Sequence, residues 1–288
     1  MATLNEWTQG ARPRTLPAAL VPVVVATAAA EADGHFVWDR ALLALVVSLA
    51  IQVATNYAND YSDGRRGTDD KRVGPMRLVA SGAASPKAVL AAALACFGVA
   101  GVAGLALAFL TSWLLLLVGA LALAAGWFYT GGKRPYGYMG LGEVFVFVFF
   151  GVVAVVGTYY VQSGAVNAYS LLLSVPVGLL AVALLVINNL RDIPTDAASG
   201  KMTLAVRMGD RGTRHFYVGI VALALLLALA LTAYRPFAWL GLLAVPLAVR
   251  PLRLVLAGAT GRELIRALAM TGALQIAFGA LLSLGVLL

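Results

Sequence analysis

The chain has 288 residues, of which 61% are hydrophobic and only 12% are charged. Because soluble domains carry about 25% charged residues, this deficit excludes an ordinary soluble domain and indicates a membrane protein. The net charge of +8 predicts a basic cytoplasmic surface rather than binding to nucleic acid.

Nine stretches along the chain are apolar enough to form membrane-spanning helices, for which roughly 20 residues are needed. The sequence therefore predicts an all-α membrane protein with nine transmembrane helices around a central cavity, in one domain over residues 1–288. The predicted spans cover residues 15–32, 40–58, 88–110, 113–130, 141–162, 168–190, 215–233, 237–250 and 266–287.

The distribution of basic residues predicts how these helices are oriented. If the N-terminus is cytoplasmic, all of the 21 lysines and arginines except Arg40 and Arg235 fall in cytoplasmic segments, as the positive-inside rule requires. Two of these segments are long, polar loops at about residues 59–87 and 191–214. They follow the second and sixth spans, so their spacing predicts two four-helix pseudo-repeats followed by one further helix.

The first long loop begins with an acidic cluster, NYANDYSDGRRGTDD, which ends in Asp69 and Asp70. Gly64 and Gly67 are expected to end the preceding helix within this cluster. Four of the polar side chains occur at i, i+3, i+4 and i+7, which places them on one face of the helix end: Asn56, Asn59, Asp60 and Asp63.

A second acidic cluster, NNLRDIPTDAASGK, follows the sixth span. Asn188, Asp192 and Asp196 occur at i, i+4 and i+8, again on one face if the helix continues. Pro194 is expected to kink or end the helix nearby. The two clusters therefore occupy equivalent positions in the predicted pseudo-repeats.

Crowded carboxylates need a counter-charge, because two like charges about 4 Å apart repel by roughly 4 kcal/mol at an effective dielectric constant near 20. The candidate ligands in both clusters are carboxylate and amide oxygens, which suit Mg²⁺, Mn²⁺ or Ca²⁺ and not zinc. Solvated loops whose acids balance nearby arginines are the alternative. Phosphate oxygens would be bound by the basic residues interleaved with the acids, which are Arg65, Arg66, Arg72, Arg191 and Lys201.

A diphosphate site at the mouth of an intramembrane cavity implies a substrate with a lipid tail, such as an isoprenyl diphosphate. Ionisation of its allylic C–O bond produces a carbocation-like state, which aromatic faces stabilise. Anchoring at the membrane interface is the alternative role for any one aromatic residue. The aromatic candidates near the clusters include Tyr57, Tyr61, Trp127, Phe128, Tyr129, Tyr136, Tyr138, Phe145, Phe149, Tyr159 and Tyr160.

With these motifs the chain resembles the UbiA-type intramembrane aromatic prenyltransferases over essentially its whole length. The family's first motif, N-D-x-x-D with a further Asp, is matched by Asn59, Asp60, Asp63 and Asp69, and its second, D-x-x-x-D, by Asp192 and Asp196. The segments GPMRLVASG and YTGGKRPYGYMGLGEVFVFVFFG look like the branch that prenylates 1,4-dihydroxy-2-naphthoate in menaquinone synthesis. Many members place the third Asp where this chain has Gly67, so either Asp69 or Asp70 takes its place.

The resemblance implies a Mg²⁺-dependent reaction of a polyprenyl diphosphate with 1,4-dihydroxy-2-naphthoate that releases pyrophosphate and CO2 and yields demethylmenaquinone. It further implies a bacterial plasma membrane with the active site facing the cytoplasm. Two Mg²⁺ ions are expected, with Mn²⁺ as a substitute. Their ligands would be Asn59, Asp63 and Asp69 or Asp70 for one ion, and Asp192 and Asp196 for the other.

The remaining site residues are assigned by the same resemblance. Asp60 either ligates metal or orients its neighbours, and Glu143 either serves the site or forms an interfacial ion pair with Lys133 or Arg134. The residues expected at the catalytic centre are Asp60, Asp63, Asp192, Asp196 and Lys201. The residues expected to bind substrate are Asn56, Arg65, Arg72, Lys133, Arg134, Tyr138, Glu143, Asn188 and Arg191.

Three other functions compete with this one. A prenyltransferase of the same superfamily could act on another aromatic acceptor, such as 4-hydroxybenzoate or homogentisate. A CDP-alcohol phosphotransferase also uses Asp-rich membrane motifs, but Gly67 stands where its pattern needs alanine. An ion-coupled transporter would place its acids near the bilayer midplane, whereas here they cluster at helix ends.

Overall fold

The computed structural model describes residues 2–67, 74 and 76–288, and this part of the chain forms helices, turns and connecting segments without strands. These elements confirm the all-α prediction, and each of the nine predicted spans falls on a helix. The helices are α1 (Leu4–Gly10), α2 (Pro17–Ala32), α3 (Trp38–Arg66), α4 (Pro86–Leu110), α5 (Leu114–Phe128), α6 (Gly142–Ser163), α7 (Ala168–Ala198), α8 (Leu204–Leu231), α9 (Pro236–Leu256) and α10 (Gly261–Leu287).

Seven of these helices are long and apolar enough to cross a membrane: α3, α4 and α6 to α10. An eighth candidate is the N-terminal pair Leu4–Thr15 and Pro17–Ala32, which is bent by 54°. Helix α5 is apolar but has only 15 residues, fewer than the roughly 20 that a straight span needs. By length and composition the described residues thus supply seven or eight candidate spans.

The first motif lies on a helix end that stops at Gly67, as predicted, but the loops expected at about residues 59–87 and 191–214 begin later, because the helices before them continue through the motifs. Helix α3 extends to Arg66 and ends at Gly67, whose φ of 72° gives the left-handed cap that glycine adopts readily. Helix α7 continues past Pro194 to Ala198, and α8 begins only a few residues later. The motif side chains have partners inside the protein, so their helical turns are held by tertiary contacts that local sequence does not reveal.

The protein core is built around α7, which packs against α8, α10 and α2. The most extensive helix pairings are α3 with α4 and α7 with α8. These pairs are related by the same four-span spacing that suggested two pseudo-repeats.

Helix α6 changes to a π-helical winding at Phe147–Val153 and there crosses α7 closely. A Cβ atom on Gly151 would lie 2.8 Å from the Cα atom of Gly178, so this crossing requires glycine at both positions. Phe149, Phe150 and Val153 of the same winding line the central cavity. The π-helical segment therefore shapes the cavity wall, as such segments often do at functional sites.

The two basic residues that violate the predicted charge asymmetry are both bound at the end of the molecule opposite the motifs. Arg235 forms an ion pair with Asp33, which also accepts a 2.6 Å hydrogen bond from the Tyr159 hydroxyl. Arg40 donates to the carbonyl oxygens of Val161 at 2.9 Å and Leu110 at 3.3 Å. Both arginines connect helix ends, which accounts for their presence on this side.

Candidate active site

The first motif lies on the last two turns of α3, where its side chains are buried. Asn59 Oδ1 accepts a 2.7 Å hydrogen bond from Thr130 Oγ1, and Asp63 Oδ1 accepts one of 2.8 Å from the Tyr138 hydroxyl. Thr130 and Tyr138 belong to the segment between α5 and α6. This segment therefore packs onto the motif and fixes the orientation of its oxygen ligands.

The second motif lies on the last turns of α7. Arg191 holds the Asp192 carboxylate in a bidentate pair, with both nitrogen–oxygen distances at 2.8 Å. The Arg191 side chain is 1% exposed, so the pair is shielded from water. A bidentate pair of this kind combines opposite charges with a fixed geometry. Arg191 therefore fixes the orientation of the Asp192 carboxylate.

The structure brings the two motifs together across a single lysine. Lys201 Nζ lies 3.7 Å from Asp63 Oδ2 and 3.6 Å from Asp196 Oδ1, with its ammonium 5.3 Å from the centroid of the Tyr138 ring. Side chains that are more than 130 positions apart in the sequence thus surround one cationic group. At this point a divalent cation would meet the carboxylates of Asp63 and Asp196, and a diphosphate would meet the ammonium group of Lys201.

The donor chemistry at this point fits Mg²⁺. Every acidic or amide ligand offers oxygen, the donor atom that Mg²⁺ prefers. Among the residues that the structure describes, no cluster of three His, Cys, Asp or Glu side chains forms a complete metal cage. Mg²⁺ usually binds through one or two carboxylates and takes its other ligands from water and substrate phosphates, so an incomplete protein cage suits it. The predicted ligands Asp69 and Asp70 lie outside the described residues.

A cavity of about 260 Å³ opens beside the motifs. Its polar end is lined by Asn56, Asn59, Asp63, Asn188, Asn189, Asp192 and Lys201, together with Arg12 and Arg77. Elsewhere its walls are mostly apolar, with Ile51 of α3, Leu107 of α4 and Val118 of α5 among the lining residues. The cavity thus joins a charged end to an apolar interior, which is the shape that a diphosphate with a hydrocarbon tail requires.

Aromatic side chains form one wall of the cavity close to its polar end. Tyr136 and Phe145 are stacked with ring centroids 3.9 Å apart, and Phe149 continues the stack at 6.1 Å from Phe145. Tyr129 meets Tyr136 edge to face at 5.5 Å. The Tyr136 hydroxyl donates to the Ala125 carbonyl, and burial raises the pKa of Tyr136, so its ring is neutral at physiological pH. This wall therefore brings four aromatic side chains to the cavity lining.

Asp60, which was predicted as catalytic, is directed away from the cavity lining. Its two carboxylate oxygens accept hydrogen bonds from the backbone amides of Leu78 at 2.8 Å and Val79 at 3.0 Å. Asp60 is 1% exposed, so these bonds are sheltered from water. The position of Asp60 fits the second predicted role, in which it orients neighbouring residues, because it ties the segment after the first motif to α3.

The predicted residue Asn56 connects the cavity to the N-terminal segment. Its Nδ2 donates to the Ala11 carbonyl at 2.9 Å and to Thr15 Oγ1 at 3.2 Å. Arg12 lies beside it, with a left-handed φ of 55°, and also lines the cavity. The segment before α2 therefore closes part of the polar end of the site.

Other predicted substrate-binding residues lie outside the cavity lining. Arg65 is exposed and donates to the Tyr61 hydroxyl at 2.9 Å, and Lys133 and Arg134 are exposed on the segment between α5 and α6. Arg72 lies outside the described residues. The substrate contacts assigned to these four basic residues stay predictions.

Glu143 is buried, with 5% of its surface exposed, and accepts a 2.9 Å hydrogen bond from Asn189. The predicted alternative, an interfacial ion pair with Lys133 or Arg134, is therefore wrong. The sequence placed Glu143 at the start of a span, where a role in the site and pairing with nearby basic residues were equally weighted alternatives. Asn189, which contacts it from α7, is 46 residues away and was not recognised as a site residue.

Arg12 and Arg77 are two further cavity residues that the sequence interpretation missed. Both were counted as cytoplasmic topology charges, although Arg77 is only 8% exposed and both line the cavity. Arg77 lies within the family-like segment GPMRLVASG, which was a usable signal. Periodicity did not identify them because neither lies on a predicted helix.

We expect Asp60→Asn to lower the melting temperature, because an amide cannot accept from both backbone amides that now bind the carboxylate. The loss of one buried acceptor should cost about 1–3 kcal/mol. Thermal unfolding in detergent measures this, with Asp39→Asn at the opposite end of α3 as the control. Equal melting temperatures for Asp60→Asn, Asp39→Asn and the parent protein would contradict the structural role of Asp60.

Comparisons with known proteins agree with the geometry of the site. The UbiA prenyltransferase family pattern matches residues 19–278. The chain is 52% identical over 272 residues to 1,4-dihydroxy-2-naphthoate octaprenyltransferase of Mycobacterium tuberculosis, covering 94% of this chain and 93% of that protein. It is 38% identical over 262 residues to the Escherichia coli protein of the same name, covering 87% and 84% of the two chains.

Solved structures show the same fold. A UbiA homolog from Aeropyrum pernix in its apo form superposes with a TM-score of 0.72 at 19% identity, covering 91% of this chain and 96% of that one. A UbiA homolog from Archaeoglobus fulgidus bound to GPP and Mg²⁺ superposes with a TM-score of 0.68 at 16% identity, covering 96% and 99%. At these identities the likeness concerns the fold.

Proposed function

The chain belongs to the UbiA prenyltransferase family, and on this premise we propose that it transfers a polyprenyl group from a polyprenyl diphosphate to 1,4-dihydroxy-2-naphthoate. The observation that carries the proposal is the meeting of the two motifs around Lys201 at the polar end of an otherwise apolar cavity. The choice of acceptor rests on the 52% identity to the mycobacterial enzyme over nearly the full length of both chains.

The proposed reaction balances as an aromatic substitution. The allylic C–O bond breaks and pyrophosphate leaves with the electron pair. A C–C bond then forms at the ring carbon that carries the carboxylate, and CO2 leaves, returning its electron pair to the ring. The immediate product is therefore at the hydroquinone level, and demethylmenaquinone forms only when a separate two-electron acceptor outside this site oxidises it.

The polyprenyl diphosphate is proposed to bind with its charged end at the motifs and its tail in the apolar part of the cavity. Lys201, Arg12 and Arg77 supply positive charge at the polar end, where a low local dielectric strengthens their attraction for the leaving pyrophosphate. The surrounding lipid is the expected source of the substrate. The apolar walls exclude water, which would otherwise trap the carbocation as an alcohol.

Mg²⁺ would be held by Asn59 and Asp63 from the first motif and by Asp192 and Asp196 from the second. We assign one ion to each motif, with Asp69 or Asp70 completing the first set and Mn²⁺ as a chemically suitable substitute. When bound, the metal neutralises the charge that develops on the leaving pyrophosphate. The Archaeoglobus fulgidus homolog bound to GPP and Mg²⁺ supports a metal-dependent site in this fold.

The aromatic wall and the positioning residues complete the proposed assignment. The stacked pair of Phe145 and Tyr136 lines the cavity, and we assign its π electrons to stabilising the allylic cation. Tyr138 orients Asp63 through its 2.8 Å hydrogen bond, and Arg191 orients Asp192. Asp60 acts indirectly by holding the segment that follows the first motif.

We place the protein in the bacterial plasma membrane as one domain with nine transmembrane helices in two four-helix pseudo-repeats plus one. Helix α5 then has to span with the help of its flanking residues. The N-terminus and the active site face the cytoplasm, because the basic residues cluster at that end. A protease-cleavable tag fused to the N-terminus should resist external protease in intact cells and be removed after lysis, and cleavage in intact cells would contradict this topology.

We expect Asp63→Asn and Asp192→Asn each to reduce pyrophosphate release by at least about 100-fold, because each replaces a carboxylate beside the metal and diphosphate. The assay supplies geranylgeranyl diphosphate and 1,4-dihydroxy-2-naphthoate with a Mg²⁺ titration. The matched control is Asp210→Asn, whose carboxylate pairs with Arg214 outside the cavity. Near-normal turnover in either motif variant, with melting temperature retained, would overturn the metal assignment.

A further inference from the structure

The buried pair of Glu143 and Asn189 lies immediately behind the cavity wall. Glu143 Oε1 accepts a 2.9 Å hydrogen bond from Asn189 Nδ2, whereas Glu143 Oε2 is buried and has no hydrogen-bond partner among the described residues. Asn189 lines the cavity and Glu143 does not. Burying a carboxyl group costs free energy unless hydrogen bonds compensate for it. Here only one of the two Glu143 oxygens has such a bond among the described residues.

The hydrogen bond determines which way the asparagine amide faces. A carboxylate only accepts hydrogen bonds, so it must take the NH2 group of Asn189. The amide oxygen then points away from Glu143. No described residue donates to Asn189 Oδ1, and Asn189 itself lines the cavity. The pair therefore presents a fixed hydrogen-bond acceptor to whatever occupies this part of the cavity.

The surroundings of this acceptor suit a flat aromatic molecule. Phe145, two residues after Glu143, stacks on Tyr136 in the same cavity wall. Tyr129 packs against the start of α6, where a Cβ on Gly142 would come within 3.2 Å of its ring. A carbonyl oxygen repels phosphate anions and attracts hydroxyl donors. Aromatic side chains in the same lining as a hydrogen-bond acceptor match a hydroxylated ring better than a diphosphate.

We propose that Glu143 is a positioning residue that holds the Asn189 amide so that Asn189 Oδ1 accepts a hydrogen bond from a ring hydroxyl of the aromatic acceptor. This inference rests on the proposed function. Accepting that hydrogen bond pushes electron density into the ring and so favours its attack on the allylic carbon. The same contact selects acceptors that carry a hydroxyl at the correct ring position, because an analogue without it leaves the buried oxygen unpaired.

The test compares Glu143→Gln, Asn189→Ala and the double variant with the parent protein. A glutamine can donate to Asn189 Oδ1 and turn the amide around, so Glu143→Gln should raise KM for 1,4-dihydroxy-2-naphthoate several-fold. Asn189→Ala should raise it about tenfold, and the double variant should be no worse than Asn189→Ala, because Glu143 acts through Asn189. KM for the prenyl diphosphate and the Mg²⁺ requirement should stay within about twofold.

A second readout does not depend on turnover. The Kd for 1,4-dihydroxy-2-naphthoate, measured by calorimetry without prenyl diphosphate, should rise in the same order. Two analogues, 1-hydroxy-2-naphthoate and 4-hydroxy-2-naphthoate, each lack one ring hydroxyl. The analogue that lacks the hydroxyl contacted by Asn189 should bind the parent protein and Glu143→Gln with equally weak affinity. The identity of that analogue shows which hydroxyl Asn189 contacts.

The control for a general effect on folding is Tyr217→Phe. It removes one buried hydroxyl that forms a 2.8 Å hydrogen bond with Thr271, outside the cavity lining. It should leave KM and Kd unchanged. If Asn189→Ala does not fold, Asn189→Leu in the Glu143→Gln background keeps the volume and removes the acceptor.

Additive effects in the double variant, a raised Mg²⁺ requirement, or full sensitivity of both analogues to Glu143→Gln would overturn the inference. A parent protein that binds no dihydroxynaphthoate at all would overturn the proposed function instead.

Discussion

The arrangement of the site depends on holding buried carboxylates from two distant helix ends close to one another. Lys201 lies between Asp63 and Asp196, and Arg191 forms an ion pair with Asp192 on the same helix. Without these cations the acids would repel one another by several kcal/mol at low effective dielectric. Hydrogen bonds within a helix cannot provide this compensation, so the ends of α3 and α7 are held by tertiary contacts. The same balance of charge prepares the site for a metal ion and a diphosphate, which bring charges of both signs.

This constraint also explains how the rest of the molecule is divided. Arg12, Arg77 and Lys201 line the polar end of the cavity, whereas Arg40 and Arg235 connect helix ends on the opposite side through backbone carbonyls and Asp33. Between the two ends, a π-helical segment of α6 and a close glycine crossing with α7 leave room for an apolar cavity. Within the cavity, charge therefore lies at the motif end, and the mostly apolar remainder can accept a hydrocarbon tail.

Hydropathy and motif spacing predicted the positions of the helices, the family and the two helix faces that carry the oxygen ligands. They placed the first motif on one face of a helix end, as observed, but left open whether α7 continues through the second, because contacts such as that of Lys201 with Asp63 and Asp196 join segments distant in sequence. For the same reason Arg77 was taken as a surface charge although it is buried at the cavity. The pairing of Glu143 with Asn189 joins α6 to α7, and one sequence carries no signal for a contact of that kind.

The most direct test of the central claim is the mass of the product. Purified protein in detergent receives geranylgeranyl diphosphate with 1,4-dihydroxy-2-naphthoate or 4-hydroxybenzoate, in Mg²⁺ or in EDTA. We expect a Mg²⁺-dependent adduct of dihydroxynaphthoate that has lost CO2, and no adduct in EDTA. A 4-hydroxybenzoate adduct that retains its carboxyl group, formed in preference to the naphthoate adduct, would contradict the assigned acceptor. No adduct with either acceptor in folded protein would contradict the prenyl-transfer site itself.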